Sequence, residues 1–389
     1  MLRVVTLSTL FPNPTQPNFG VFVEGQTLRL AACEGVELRV INPIAVPPFP
    51  LGLIPRYRAL RPLPVEDEWK GLRIARPRIR VLPGVSGPLN PALLVHGVRN
   101  VLQRWRDEGF DFDVIDAQFF FPDGPAAARL AREFGVPFSV KARGADIHYW
   151  GRRLGCRGQV MEAAAAAKGM LAVAQSLRRD MVEMGMDGSR IAVHYTGVDL
   201  DRFRPADRKA AKAKLGVTGP LIISVGALIP RKGHDIIIEA LADLDNATLL
   251  IAGEGPEEAR LAALAKARGL AERVRLLGSV PHGQLPALLA AADVMALASE
   301  SEGLANAWIE AMACGTPVVT PAVDGATEAL DRPAAGRLLS QRTPSAFAEA
   351  IRSILADPPA QAEVRASAER FAWSRNTQQL QAHLRSLVA

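Results

Sequence analysis

Short β-rich runs alternate with helical patterns along this whole chain of 389 residues, and that alternation restricts the fold more than any other feature. The first half offers "RVVTLSTL", "VELRVINPI", "DVIDAQFF", "PFSVKARG", "GMLAVAQS" and "IAVHYTGV", with helix candidates such as "VEGQTLRLAACE" and "GPAAARLAREF" between them. After "GVDLDRFRPADRKAAKAKLG" the rhythm restarts with "LIISVGAL", "ATLLIAGEG", "RVRLLGSV", "VMALASE" and "TPVVTPAV". Its helix candidates are "HDIIIEALADL", "PEEARLAALAKARG" and "LPALLAAAD". Strands regularly followed by helices build a parallel sheet covered on both faces. Two such series predict an α/β protein of two doubly wound domains, 1–200 and 201–373, a division that the chain length also favours. The last helix, "NTQQLQAHLRSLVA", belongs to a segment 374–389 expected to pack back on the first domain, with Ser374 as its cap.

Ligands of such sheets gather at the carboxyl ends of the strands. The segments after the strands therefore carry the information: "FPNPTQPNFGVFVEGQ", Arg143-Gly144-Ala145-Asp146, "VGALIPRKGHD", "AGEGPEE" and "SESEGLANAWIEAMACGTPVV". In the last of these, Glu302 precedes a helix expected over 305–313, and Glu310 lies inside it, one turn from Asn306 on the same face. A helix N-terminus presents free N–H groups and partial positive charge, which suit a phosphate. The two glutamates thus fit a ligand with phosphate and hydroxyl groups; the competing reading is a solvated helix edge with a surface acid. Arg231 and Lys232 of "RKG" can neutralise a diphosphate and support a departing phosphate oxygen, or else form a plain surface pair.

Other signals are discounted. "GEGPEE" starts like a dinucleotide fingerprint, but Glu258 takes the place of the third glycine. Asp-x-Asp recurs at 111/113, 199/201 and 243/245, always at element edges, and reads as background rather than as metal ligands. The six histidines lack HExxH spacing, and no GxSxG elbow occurs. Cys33, Cys156 and Cys314 are scattered, which argues for a reducing, cytoplasmic setting and against a disulfide scaffold or zinc site. "MLRVVTLSTLFP" is too short for a signal peptide or membrane span. The chain's net charge of +6 is matched by residues 51–110 alone, which hold eleven Arg and Lys against five acids. Such a stretch attracts an anionic membrane surface or is an arginine-rich solvated face; nothing supports nucleic acid as a partner.

Together, "VGALIPRKG", "AGEGP", "GSVPHGQLPALLAAADVMALASESEGLANAWIEAMACGTPVV" and the linker "YTGVDLDRFRP" resemble the retaining glycosyltransferases of family 4, whose Glu-x7-Glu motif matches Glu302 and Glu310. "LFPNPTQPNFGVFVEGQ" and "DVIDAQFFFPDG" are similar to members that build cell-surface polysaccharides. The resemblance implies a GT-B fold, with an N-terminal acceptor domain and a C-terminal nucleotide-sugar domain. It implies a sugar transferred with retention from a nucleoside diphosphate, UDP slightly favoured, to a saccharide or lipid-linked saccharide, with neither metal nor cofactor. Glu310 would grip the ribose hydroxyls and Glu302 would sit by the transferred sugar. The backbone of Gly303, Leu304, Ala305 and Asn306, with Gly20, Gly226 and Gly253, would line the donor. Lys232 and Arg231 would stabilise the leaving diphosphate. Gln118, Asp146 and His148 would face the acceptor. The chain departs from the pattern at Ala227, where many members have arginine, and at Arg143, where many have histidine; Arg143 cannot act as a base, so its role should be electrostatic. The alternatives are an epimerase or phosphorylase on the same fold, or a catalytically silent partner of another transferase.

Overall fold

Valine, leucine and isoleucine dominate the buried runs that become strands, as expected where both faces of a sheet are covered. The structure, a computed structural model, describes residues 1–323 and 325–389. The chain divides into two units, Met1–Tyr195 with Asn376–Ala389, and Thr196–Arg375.

The first unit contains β1 (Leu2–Leu7), β2 (Val36–Ile41), β3 (Ile44–Ala45), β4 (Glu66–Trp69), β5 (Leu72–Ala75), β6 (Arg78–Ile79), β7 (Val114–Ala117), β8 (Phe138–Ala142), β9 (Gly169–Ala172) and β10 (Ile191–Val193). Eight of these form one sheet in the order β10-β9-β8-β7-β1-β2-β5-β4, while β3 and β6 pair separately. All neighbours in the large sheet are parallel except β4 and β5, which form an antiparallel edge hairpin. β1 lies at the point where the order reverses, with β7 on one side and β2 on the other. Their carboxyl ends open the crevice in which ligands of such sheets collect.

The second unit contains β11 (Leu221–Val225), β12 (Thr248–Ala252), β13 (Val274–Leu276), β14 (Val294–Ala296), β15 (Val318–Pro321) and β16 (Gly336–Leu339). They form one parallel sheet, β13-β12-β11-β14-β15-β16, reversing at β11 and β14.

Two local expectations change. The terminal helix runs Trp373–Val388, so Ser374 lies in its first turn instead of capping it. The 51–110 stretch does not form one charged patch. It contains the amphipathic helix Asn90–Asp107, which buries Leu94, Val98, Val101, Leu102 and Trp105 at helical spacing. Acids neutralise much of the rest: Arg73 reaches Glu108 at 2.7 Å, Arg76 Asp67 at 2.7 Å, Arg99 Glu133 at 2.6 Å and Lys70 Glu24 at 2.8 Å, with Arg104 on Glu66. Arg106 donates to the Phe134 carbonyl. Arg56, Arg58, Arg61 and Arg80 stay exposed.

Candidate functional site

The expected residues fall into two groups, one at the carboxyl edge of each sheet. In the second unit, the loops after β11 and β14 meet. The Glu300 amide donates to the Arg231 carbonyl at 2.9 Å, and the Arg231 guanidinium donates to the Ser301 carbonyl. Lys232 donates its ammonium to Glu302 Oε1, which also accepts from Ser299 Oγ at 2.7 Å. Arg231 lies farther from the same carboxylate, at 3.9 Å. The Lys232 and Glu302 side chains are 15% and 11% exposed, so this ion pair is largely shielded from water. An anion arriving there meets a cation and a carboxylate already oriented, in a medium where charge counts for more than in bulk water.

The helix beginning beside that pair spans Asn306–Ala313, and Ala305 at its cap position makes no side-chain cap bond. The first amides of such a helix present partial positive charge that suits an anion. Leu304 and Ala305 are buried ahead of it. Glu310, the fifth helical residue, is 13% exposed in its side chain, and its Oε1 lies 2.8 Å from His282 Nε2. His282 rests against the Phe203 ring, 5.4 Å between centroids. Glu302 and Glu310 are thus partnered rather than solvated, and the reading of Glu310 as an ordinary surface acid fails.

At the end of β12, Gly253 adopts φ 158°, and a Cβ there would lie 1.8 Å from the Gly226 carbonyl oxygen. The two backbones therefore touch, and only glycine permits that approach. Behind Gly226, the buried His234 places Nδ1 3.0 Å from Ser224 Oγ, and burial pulls its pKa down to about 4.

The first unit collects the other group. Gly20, at φ 73°, caps the helix Val21–Ala31 and packs on the Leu10 carbonyl, where a Cβ would approach within 2.6 Å. Gln118, at the end of β7, is fully buried. Arg143 donates through Nε to the Gln118 carbonyl at 2.7 Å and through a terminal nitrogen to Gln118 Oε1 at 2.6 Å, its plane over the Phe22 ring. Asp146 accepts from the amides of Phe120, Arg143 and Gly144 at 2.8 to 3.1 Å, so its carboxylate organises the backbone of this loop. His148 sits at the loop's far end, 2.8 Å from Asp180.

A buried polar seam lies beneath, only faintly marked in the sequence. Gln118 also meets Gln26 and Asp116, and Lys141 donates to Gln26 at 2.9 Å and meets His194, which in turn lies 2.8 Å from the Asn376 carbonyl. Desolvation raises Asp116 to about 6 and Asp123 to about 7, and pushes Lys141 well below its usual value. Period-2 alternation of these residues at buried strand positions was the only available signal: Asp116 with Gln118, and Ser139 with Lys141. Of the Asp-x-Asp acids, Asp113 accepts from the Arg3 amide and Asp199 from the Arg202 amide.

The sequence profile of the glycosyl transferases group 1 matches residues 206–371, and that of Glycosyltransferase Family 4 matches residues 27–202. The D-inositol 3-phosphate glycosyltransferase of Mycobacterium tuberculosis is 38% identical over 218 residues, covering 52% of this chain and 45% of that protein. This chain therefore spans less than half the length of that curated relative. Among solved structures, sucrose-phosphate synthase from Thermosynechococcus elongatus superposes with a TM-score of 0.79 at 20% identity, covering 100% of this chain and 99% of that one. Anabaena HepE, solved with UDP and glucose, gives a TM-score of 0.77 at 20% identity, covering 100% of each chain. The fold is accordingly that of the GT-B glycosyltransferases, and this chain belongs to the group 1, family 4 glycosyltransferases.

Proposed function

We propose that this chain transfers a sugar from a nucleoside-diphosphate sugar, preferably a UDP-sugar, to a hydroxyl of a saccharide or lipid-linked saccharide, retaining the anomeric configuration and using no metal. The observation that carries this reading is the shielded Lys232–Glu302 pair beside the N-terminal amides of the helix Asn306–Ala313. On this reading the diphosphate sits against those amides and Lys232, while Glu310 turns from His282 to the ribose diol. As the bond from the anomeric carbon to the phosphate oxygen breaks, charge grows on the diphosphate, and Lys232 with Arg231 stabilises it. The departing oxygen takes the proton of the acceptor hydroxyl, whose oxygen bonds the anomeric carbon on the same face. Glu302 holds hydroxyls of the transferred sugar, and Gln118, Asp146 and His148, with Arg143, organise the acceptor side. Anabaena HepE, solved with UDP-glucose, supports a uridine donor.

We infer a place in polysaccharide or glycolipid assembly at a membrane surface. Among the described residues no helix is long and apolar enough to cross a membrane. β3 and β6 pair in parallel, so the segments after them leave from the same end. Those segments expose Phe49, Leu51, Leu53 and Ile54 on one side and Leu82, Val85 and Leu89 on the other, with Arg56, Arg58, Arg61 and Arg80 nearby in the chain. Each arginine at an anionic bilayer contributes about 1 kcal/mol, a force that salt screens. Co-sedimentation with anionic but not neutral vesicles, weakened by charge reversal at Arg56, Arg58 and Arg61, is expected; binding indifferent to lipid charge contradicts the surface role. The transferase reading itself is tested by thermal shift against nucleoside diphosphates, followed by release of radiolabelled sugar from the stabilising donor. No stabilisation by any of them, and no release, sinks it.

A further inference from the structure

Arg342 lies outside every motif in the chain, in the loop that joins β16 to the helix Pro344–Ala356. Its Nε donates to the Ala298 carbonyl at 2.6 Å, and a terminal nitrogen reaches Glu300 Oε1 at 3.1 Å. The other terminal nitrogen lies 2.7 Å from where a Cβ on Gly233 would stand, and the Ala298 carbonyl oxygen lies 2.3 Å from that same point. Gly233 holds φ 65° and follows Lys232 directly. One planar guanidinium thus braces the loop after β14, which carries Glu302, and flanks the turn after β11, which carries Lys232. The Glu300 amide, on the residue whose carboxylate Arg342 holds, completes the link by donating to the Arg231 carbonyl.

We propose that Arg342 is a positioning residue of the donor site, setting the Lys232 and Glu302 loops at the separation that a diphosphate requires. The inference rests on the transferase reading above. A flat fork with several fixed donors serves a carbonyl and a carboxylate in one set geometry while lying against a glycine; the ammonium of lysine, on a flexible stem, fixes that geometry less well. Fixing groups to within a fraction of an ångström decides how well they bind a ligand and its transition state. The described bonds of Arg342 run to Ala298 and Glu300, on the loop that carries Glu302.

The test measures affinity by calorimetry for whichever of UDP, GDP and ADP the wild type binds most tightly. Arg342→Ala should weaken that affinity about tenfold, with Arg342→Lys only partly restoring it. In a Lys232→Ala background the same Arg342→Ala change should move affinity by less than about twofold, because the cation it positions is gone. A full tenfold loss in both backgrounds, or a lowered Tm with unchanged affinity, overturns the positioning role and leaves a purely structural residue. If the alanine variant fails to fold, Arg342→Lys carries the same comparison. A wild type that binds none of the three nucleotides defeats the transferase reading instead, so the two failures are separable.

Discussion

Removing the Glu310 carboxylate is the perturbation with the best-defined expected size. In the structure that side chain is 13% exposed and its one hydrogen bond described runs to His282 at 2.8 Å. The carboxylate has already lost most of its water, so little desolvation remains when a ribose diol arrives. A charge-assisted hydrogen bond of this kind contributes about 1.5–3 kcal/mol, which corresponds to roughly a 10- to 150-fold change in Kd. Glu310→Ala should therefore weaken nucleoside-diphosphate binding by that factor in calorimetry, while circular dichroism stays unchanged. Glu310→Gln keeps the shape and one acceptor but loses the charge, so its loss should be smaller. His282→Ala removes a partner that the ribose would replace and should weaken binding less than either. A Glu310→Ala variant that binds within about twofold of wild type refutes the assignment.

Lys232→Ala should lower kcat more than it raises KM, because charge on the leaving diphosphate grows toward the transition state; equal kcat in both proteins contradicts that role. Activity should persist in EDTA, and complete loss restored by Mg²⁺ or Mn²⁺ would return the Asp-x-Asp acids to consideration. His234 gives a pH prediction. Burial first, and Lys232 nearby, depress its pKa to about 4 in the folded chain, so as pH falls below the ordinary imidazole value of about 6.5 the unfolded chain takes up the proton first. Stability is intact above that range and is lost as pH falls toward 4, by at most about 1.4 kcal/mol per pH unit from this group. Denaturant melts of His234→Gln should show a shallower fall than wild type between those values; parallel curves contradict the argument.

What the chain revealed in advance was governed by distance along it. β11, β12 and the helix Asn306–Ala313 follow from local apolar patterning, and "SESEGLANAWIEAMA" brings Glu302, in the loop before that helix, and Glu310, inside it, within eight positions. Their partners come from afar: Lys232 is 70 positions from Glu302 and His282 is 28 from Glu310, and no periodicity marks such pairs. The basic stretch shows the same limit in reverse. Its net charge was legible, but Glu108 reaching Arg73 and Glu133 reaching Arg99 depend on which strands and helices pack together. Arg143 reads in the sequence as an electrostatic group; that two of its donors are held by Gln118 was not legible there, because the pairing joins positions 25 apart. The edge hairpin β4–β5 was missed because Glu66–Trp69 is mostly charged and lacks the apolar run of a central strand.

The stereochemistry of the product tests the central claim most directly. The measurement is proton NMR of the enzyme with UDP-glucose, or with the nucleotide sugar that most raises Tm, in the presence of methanol as a minimal acceptor whose glycoside cannot mutarotate. Retention at a site built from Lys232, Glu302 and Glu310 predicts a methyl glycoside with the donor's anomeric configuration, and no such product from Lys232→Ala. An inverted glycoside, or a retained one formed equally well without Lys232, would contradict the account.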